Sequence, residues 1–280
     1  MEKENTLYIS DLDGTLLNKS AELSEYTIKT LNTLIAGGLS FTVATARSPA
    51  TAGKILENLE LRIPIVLMNG VLIFDIDDNR YIKIYKLQPE TVAMVNRTLK
   101  SHDTTGFVYE LKNGELSTYY ESLERKPLRD FVEERAVRYN KTFRHTGSFE
   151  QISHDHIIYY TLIDLPERLQ PVYDALATQS GLNMAMYADN YSRDLWYLEL
   201  FSADASKQNA VSFLRETYGY DKIVGFGDNL NDLPMFKACD ISVAVGNAKP
   251  EVSSAADYIC DTNENNGVAK WLADTVTQQP

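Results

Sequence analysis

Hydrophobic residues in the first third of the chain alternate between two spacings. A short apolar run at residues 6–10 is followed by apolar positions at helical spacing, between a possible helix cap at Ser24 and a stop at Gly37. Further apolar runs lie at residues 39–44 and 65–68. Strands that are apolar along most of their length and alternate with helices are typical of a parallel sheet with helices on both faces. We therefore expect an α/β core.

The pattern changes at about residue 85. Short alternating runs now flank a Lys-Asn-Gly turn, which is typical of a β-hairpin, and two helical patterns begin at proline. The predicted elements are helices beginning at Pro89 and Pro166 and strands at residues 107–110, 115–119 and 157–163. This composition predicts an inserted α+β domain, with an antiparallel sheet and helices on one face.

The alternation of strands and helices returns in the last third of the chain. The predicted elements are a helix from Ser206, a strand at 223–226, a helix at 230–238, a strand at 241–245 and a helix at 268–275. One domain is thus interrupted by another. We place the core in residues 1–84 and 193–280, and the insert in residues 85–192.

Composition narrows the class of protein. The 280 residues are 44% hydrophobic and 24% charged, which is typical of a folded globular chain. Acidic residues outnumber basic ones by 39 to 27, and the net charge of −12 disfavours nucleic acid and anionic membrane surfaces as partners. No apolar run approaches the roughly 20 residues of a membrane helix. The N-terminus lacks the pattern of a signal peptide, and there are two cysteines, so we expect a cytoplasmic protein.

Two carboxylates follow the first predicted strand, in the sequence Asp11-Leu12-Asp13-Gly14-Thr15. Alternate side chains of an extended segment share a side, so both carboxylates can face one ligand. Such a pair resists joint ionisation, which favours one anionic group and one proton donor. An ordinary Asp-Gly turn is the alternative interpretation.

A second group of oxygen ligands follows the predicted strand at 223–226. Asp228, Asn231 and Asp232 offer two carboxylates and an amide, which are suitable ligands for Mg²⁺; a helix cap is the alternative. Thr45 ends another strand, and Lys207 begins a helix, where a cation is unfavourable for the helix dipole. Taken singly, these two residues have ordinary structural explanations.

The order of these four motifs resembles that of the haloacid dehalogenase-like phosphatases, and the segment from Gly225 onward resembles their Cof-like branch. The resemblance implies a Rossmann-like core, a large α/β cap and Mg²⁺-dependent hydrolysis of small phosphate esters. It implies that Asp11 is the nucleophile and Asp13 the acid and base. The other implied roles are phosphate or substrate binding by Thr45, Ala46, Lys207 and Asn231, metal binding by Asp11, Asp228 and the Asp13 carbonyl, and support by Asp232 and Arg47.

Two positions depart from the pattern of this branch. The branch commonly has Thr-Gly-Arg where this chain has Thr45-Ala46-Arg47. It commonly has glycine after the lysine, where this chain has Gln208. An alanine still offers its backbone amide, whereas the side chain of Gln208 disfavours a close approach of the backbone. For Arg47 we prefer pairing with a nearby acid over contact with substrate.

Other functions remain open at this point. A phosphomutase or phosphotransferase would use the same core, and a receiver-like phospho-switch would use a similar acidic cluster. His154 and His156 would share one side of an extended stretch, but no third metal ligand is apparent, so a partly exposed strand edge is preferred. We expect a small phosphorylated metabolite as substrate.

Overall fold

The structure is a computed structural model that describes residues 5–189 and 194–276. The described residues fall into two compact units, within Met1–Ile82 with Ser206–Pro280 (unit 1) and within Lys83–Ala205 (unit 2).

The first part of the chain alternates strands and helices as the spacing predicted. The hydroxyl of Ser24 caps the first helix by accepting a hydrogen bond from the backbone N of Thr27 at 3.0 Å. The elements are β1 (Thr6–Ser10), α1 (Glu25–Ala36), β2 (Ser40–Val43), α2 (Pro49–Leu56), β3 (Ile65–Leu67), β4 (Leu72–Asp75) and β5 (Arg80–Ile84).

The middle of the chain forms a second sheet and three helices. The helices predicted at Pro89 and Pro166 begin at those residues, because proline fits the first helical turn without needing a donor. The elements are α3 (Pro89–Ser101), β6 (Phe107–Lys112), β7 (Glu115–Tyr120), α4 (Lys126–Tyr139), β8 (Arg144–His145), β9 (Ile157–Asp164), α5 (Pro166–Leu176), β10 (Leu182–Ala188) and β11 (Trp196–Ser202).

The last part of the chain returns to unit 1. Its elements are α6 (Lys207–Tyr218), β12 (Lys222–Gly227), α7 (Leu233–Phe236), β13 (Ile241–Ala244), α8 (Pro250–Ala255), β14 (Tyr258–Ile259) and α9 (Gly267–Val276). The sequence predicted one helix over residues 230–238, whereas the structure has a turn of 3₁₀-helix at Leu230–Asp232 followed by the short α7. Pro234 falls in the first turn of α7, where proline favours a new helix start.

Unit 1 is built on a parallel sheet with the strand order β14-β13-β12-β1-β2. A parallel bridge between Ala44 and Val66 connects the end of β2 to β3. The side chains of each strand alternate between the two faces of the sheet. On one face, Leu7 and Ile9 pack with α6, α7 and α8. On the other face, Phe226 contacts Trp271 of α9, with 5.2 Å between the ring centroids. Helix α1 contacts α9 on that second face. The predicted parallel-sheet α/β core is thus confirmed.

Unit 2 contains a six-stranded sheet with the order β10-β11-β9-β6-β7-β8, antiparallel except for the β7–β8 pair. Strand β11 pairs with both β9 and β10, so it belongs to this sheet, although the sequence boundary at residue 193 assigned it to the core. Unit 2 therefore extends past β11 to Ala205.

The expectation that helices cover one face of this second sheet is wrong. One face packs on α3 and α5, through a cluster that includes Val108, Val95 and Val172. The neighbouring Phe107 points to the other face and stacks on Phe131 of α4, at 4.6 Å between ring centroids. Many residues of α4 are charged, and the residues that it buries are Leu128, Phe131 and Tyr139, so its sequence is a weak sign of the aromatic side chains that it covers.

Within residues 5–189 and 194–276, no helix has both the length and the hydrophobicity that crossing a membrane requires.

Candidate active site

Asp11 and Lys207 meet at the carboxyl edge of the unit 1 sheet. Asp11 follows β1, and its backbone N donates to the carbonyl of Phe226 in β12 at 2.9 Å, which continues the strand pairing by one residue. The Nζ of Lys207, in the first turn of α6, donates to Oδ1 of Asp11 at 2.6 Å. Both side chains are almost fully buried, so this ion pair is shielded from solvent.

Asp232 holds the other side of this ammonium group. Its Oδ1 accepts from Lys207 Nζ at 2.7 Å, and its Oδ2 accepts from the backbone N atoms of Asp228 and Asn229 at 3.0 and 3.1 Å. The backbone of Gly227 passes close by, since an added Cβ there would lie 2.6 Å from Cβ of Asp232. Both oxygens of Asp232 thus orient the loop after β12 and Lys207.

Asp228 completes a buried acidic cluster. Carboxylate oxygens of Asp11, Asp228 and Asp232 lie within 4.8 Å of one another, and Oδ1 of Asp228 accepts from the hydroxyl of Thr15 at 2.8 Å. The parallel strands β1 and β12 bring Asp11 and Asp228 together, because both follow strands that end at one edge of the sheet.

The cluster places three carboxyl groups around one ammonium group. Burial raises the pKa of Asp11 to about 7, aided by Asp232 and Asp13 and opposed by Lys207. Burial, with Asp232 and Asp11, also raises the pKa of Asp228 well above its usual range. Burial acts to lower the pKa of Lys207, but Asp11 and Asp232 raise it above the usual value, so this side chain remains an ammonium ion. Three carboxylates against one ammonium group fit a divalent cation, and their hard oxygen atoms suit Mg²⁺.

The side chain of Asp13 contacts Arg47. The guanidinium group of Arg47 donates from Nε to Oδ2 of Asp13 at 2.7 Å and from Nη2 to Oδ1 at 2.6 Å. This two-point contact fixes the plane of the carboxylate as well as its position. Arg47 thus pairs with an acid, Asp13.

Thr45 and Ala46 lie beyond the end of β2. Thr45 is buried, its backbone N donates to the carbonyl of Val66 at 2.9 Å, and its hydroxyl accepts from the backbone N of Arg47 at 3.1 Å. The hydroxyl thus stabilises a turn that carries the half-buried Ala46 and Arg47. Thr45 follows β2, which is adjacent to the strand that leads to Asp11.

The structure adds residues that the sequence did not single out for this site. Thr15 donates to Asp228, and the side chain of Asn247 donates from Nδ2 to the backbone carbonyl of Gly14 at 2.7 Å. Thr15 stands beside the two aspartates in sequence, which was an available signal. Asn247 has no such local signal, because its contact joins segments that are more than two hundred residues apart.

Asn231, the remaining predicted site residue, contacts Asn69. The half-buried Asn231 donates from Nδ2 to Oδ1 of Asn69 at 3.5 Å. Gln208 follows Lys207 in the first turn of α6 and is half-buried.

His154 and His156 lie in unit 2, in a turn of 3₁₀-helix and not in the extended stretch that would put them on one side. Among the described residues, the acidic cluster is the one group of three or more His, Cys, Asp or Glu side chains close enough to hold a metal ion. The histidine pair therefore has no third ligand within that part of the chain. Cys239 and Cys260 are both free thiols.

Comparison with known proteins identifies a family whose model matches nearly the whole chain. The model of a family described as haloacid dehalogenase-like hydrolase matches residues 8–272. The chain is 26% identical over 264 residues to the 5-amino-6-(5-phospho-D-ribitylamino)uracil phosphatase YcsE of Bacillus subtilis, covering 94% of this chain and 92% of that protein. It is 25% identical over 282 residues to the Bacillus subtilis phosphatase YwpJ, covering 94% and 96%.

A solved structure shares the fold. A haloacid dehalogenase-like hydrolase from Bacteroides thetaiotaomicron superposes with a TM-score of 0.82 and 25% identity, over 98% of this chain and 100% of that one.

Proposed function

Because the chain belongs to the haloacid dehalogenase-like hydrolases and its relatives are phosphatases, we propose that it is a Mg²⁺-dependent phosphatase acting on small phosphate monoesters through an aspartyl-phosphate at Asp11. The observation that carries the proposal is the buried contact of Lys207 with both Asp11 and Asp232. An ammonium group beside a nucleophilic carboxylate is what an attack of one anion on another requires.

The first half of the proposed reaction forms a bond and breaks one. A carboxylate oxygen of Asp11 attacks phosphorus, and the bond from phosphorus to the ester oxygen breaks. The leaving oxygen takes a proton from the carboxyl group of Asp13, so the product leaves as a neutral alcohol. The two-point contact with Arg47 keeps the Asp13 carboxylate oriented until it takes a proton from water in the second half of the reaction.

The second half returns the enzyme to its starting state. Asp13, now a carboxylate, takes a proton from a water molecule that attacks the phosphoryl group on Asp11. Inorganic phosphate leaves, Asp11 is a carboxylate again, and Asp13 is protonated for the next cycle. Lys207 stabilises the negative charge of the phosphoryl oxygens in both halves, and the Thr45 hydroxyl and the amide of Ala46 bind them as neutral donors.

Residues of the acidic cluster would hold the metal ion. We assign the Asp11 and Asp228 carboxylates and the backbone carbonyl of Asp13 as protein ligands, with Asp232 orienting the loop that carries Asp228. When bound, Mg²⁺ supplies positive charge that offsets the repulsion between Asp11 and the phosphoryl oxygens.

The relatives support a class of substrate. The name of YcsE describes a phosphate ester on a ribityl chain, which is a sugar alcohol. We propose that this chain likewise hydrolyses phosphate esters of sugars or of related small metabolites.

We also propose that it acts in the cytoplasm. Both thiols are free, which suits a reducing compartment. The net charge of −12 makes nucleic acid an unfavourable partner.

A phosphate-release screen tests the proposal. The purified protein is assayed with sugar phosphates, the ribitylaminouracil phosphate, nucleotides, flavin mononucleotide and pyridoxal phosphate, with Mg²⁺ and with a chelator. We expect inorganic phosphate from several esters, only when Mg²⁺ is present. An isomeric ester in place of inorganic phosphate would indicate a phosphomutase, and no turnover of any ester by the folded, metal-loaded protein would contradict the proposal.

A further inference from the structure

The turn after β3 has an unusual backbone. Met68, Asn69 and Gly70 have φ values of +50°, +54° and +93°, so three consecutive residues adopt the left-handed conformation. Two of them carry side chains, for which this conformation is uncommon, and both of those residues are buried. Such a backbone persists only where its surroundings determine it, and it clusters at functional sites.

Backbone hydrogen bonds attach this turn to the Thr45 loop. The backbone N of Asn69 donates to the carbonyl of Thr45 at 3.0 Å, and that of Met68 donates to the carbonyl of Arg47 at 3.1 Å. These two hydrogen bonds thus hold the backbone of the Thr45–Arg47 segment against the turn.

The same turn packs on the start of α6. A Cβ added at Gly70 would lie 2.2 Å from the carbonyl oxygen of Ser206 and 3.1 Å from the backbone N of Lys207. The first turn of the helix that carries Lys207 therefore rests directly against the backbone of the turn.

The side chain of Asn69 reaches a third segment. Its Oδ1 accepts from Nδ2 of Asn231 at 3.5 Å, and Asn69 is only 3% exposed. This contact pairs an acceptor of Asn69 with a donor of the Asn231 amide. One turn of three residues thus contacts the segments that carry Thr45, Lys207 and Asn231.

We propose that Asn69 is a positioning residue of this active site, which acts through Asn231 and leaves the binding of the phosphoryl group to that side chain and to Thr45 and Lys207. The inference rests on the proposed function and extends it to a residue that has no part in the reaction steps above. The left-handed backbone is the structural cost of placing the Asn69 amide against Asn231.

A double-mutant cycle tests this inference, using Asn69→Gly, Asn231→Ala and the double variant. Glycine tolerates the left-handed conformation, so Asn69→Gly removes the side chain and keeps the turn. We expect Asn69→Gly alone to lower kcat/KM by about 10-fold, since small misplacements of binding groups are costly, and by less than about 2-fold in the Asn231→Ala background. Full additivity of the two losses would overturn the inference, as would an unchanged kcat/KM in Asn69→Gly.

Asn79→Gly is the matched control. Asn79 has a φ of +50° in an exposed turn of the same unit, so this variant makes the same backbone change away from the site. We expect it to have the kcat/KM of the wild type. If Asn69→Gly does not fold, Asn69→Ser, which shortens the side chain and retains a hydroxyl group, goes through the same cycle with the same two outcomes.

Calorimetry with inorganic phosphate and Mg²⁺ separates this inference from the proposed function. We expect the phosphate affinity of the four proteins to show the same non-additive pattern as their kcat/KM. A wild type that binds phosphate but hydrolyses no ester would contradict the phosphatase proposal, while the affinity cycle would still decide the role of Asn69. A wild type that does not bind phosphate at all would overturn both.

Discussion

Two buried carboxylates share one ammonium group at the centre of the site. Lys207 lies at the N-terminus of α6, where the helix dipole disfavours a cation, and its contacts with Asp11 and Asp232 explain why it is there. Lys207 cannot lose its charge without leaving two buried carboxylates uncompensated, whereas it still pairs with Asp232 when Asp11 is neutral.

Replacement of Asp11 by Asn is expected to abolish turnover and leave the protein folded. The variant lacks the nucleophile, so phosphate release should fall by at least about 10³-fold. The fold should tolerate the change, since burial raises the pKa of Asp11 to about 7 and a neutral group is thus accommodated at this position. Phosphate release and thermal melting measure the two effects.

Asp77→Asn is the control for that experiment, because Asp77 is an exposed residue of the same unit. It should behave as the wild type. Turnover near the wild-type rate in Asp11→Asn would remove the assignment of the nucleophile.

Replacement of Arg47 by Lys is expected to impair catalysis more than folding. Lysine keeps the positive charge but cannot make the two-point contact with Asp13, so the acid loses its fixed orientation. We expect kcat to fall by about 10-fold, with an altered pH profile, because Asp13 is the proposed proton donor. Steady-state kinetics across pH measure this.

Arg80→Lys is the matched change at an exposed pair with Asp78, and it should leave kcat unaltered. If Arg47 served only to hold its own loop, Arg47→Lys would lower the melting temperature and leave the pH profile of kcat unchanged.

At the scale of elements, the site depends on where strands end and where helices begin. Strands β1, β2 and β12 are adjacent and parallel, so the residues that follow them, Asp11, Thr45 and Asp228, meet at one edge. The hydroxyl of Ser206 accepts from the backbone N of Asn209 at 2.9 Å and so determines where α6 begins. Lys207 follows this cap directly.

Gly70→Ala is expected to disrupt the contact between the turn after β3 and α6. The added Cβ would meet the Ser206 carbonyl at 2.2 Å, so one of the two segments must move. We expect a loss of more than about 2 kcal/mol in the free energy of unfolding, together with a lower kcat/KM, because Lys207 moves with its helix. Urea denaturation and phosphate release measure the two effects.

Gly38→Ala isolates the clash from the backbone strain. Gly38 has a φ of +97°, close to that of Gly70, but a Cβ there would meet no atom within 4 Å. We expect this variant to lose only about 1 kcal/mol and to keep its activity. Equal losses in the two variants would show that the packing of Gly70 against Ser206 is unimportant.

At the scale of the whole molecule, the buried acids link the stability of unit 1 to pH and to metal. The folded, metal-free protein retains a proton on Asp11 up to about pH 7, whereas the unfolded chain releases it near pH 4. Between these values the folded state binds more protons, so the contribution of Asp11 to stability is complete below about pH 4 and is lost as the pH rises to about 7.

We therefore expect the metal-free wild type to lose stability relative to Asp11→Asn as the pH rises through this range, by up to about 1.4 kcal/mol per pH unit. Asparagine does not titrate, so the comparison cancels the other groups of the protein. Added Mg²⁺ should stabilise the wild type, and more so at higher pH, because its ligands must be deprotonated. Urea denaturation with chelator and with Mg²⁺ measures this; a stability difference that is independent of pH would contradict it.

Much of the fold followed from local pattern. Ser24, Pro89 and Pro166 marked helix starts correctly, because caps and first-turn prolines act within a few residues. The helix cover of the second sheet was predicted incorrectly, because the stacking of Phe107 on Phe131 joins β6 to a helix of mostly polar sequence. The membership of β11 was also misjudged, since strand pairing is a long-range contact.

The sequence by itself determined the alternation of strands and helices and the kinds of side chain that end the strands, because propensities, caps and hydrophobic periodicity are local properties. Only the tertiary structure decided which acids share Lys207, that Arg47 lies on Asp13, and that Asn69 contacts Asn231. These contacts join segments that are distant in sequence, and a distance between such segments depends on the packing of every element between them.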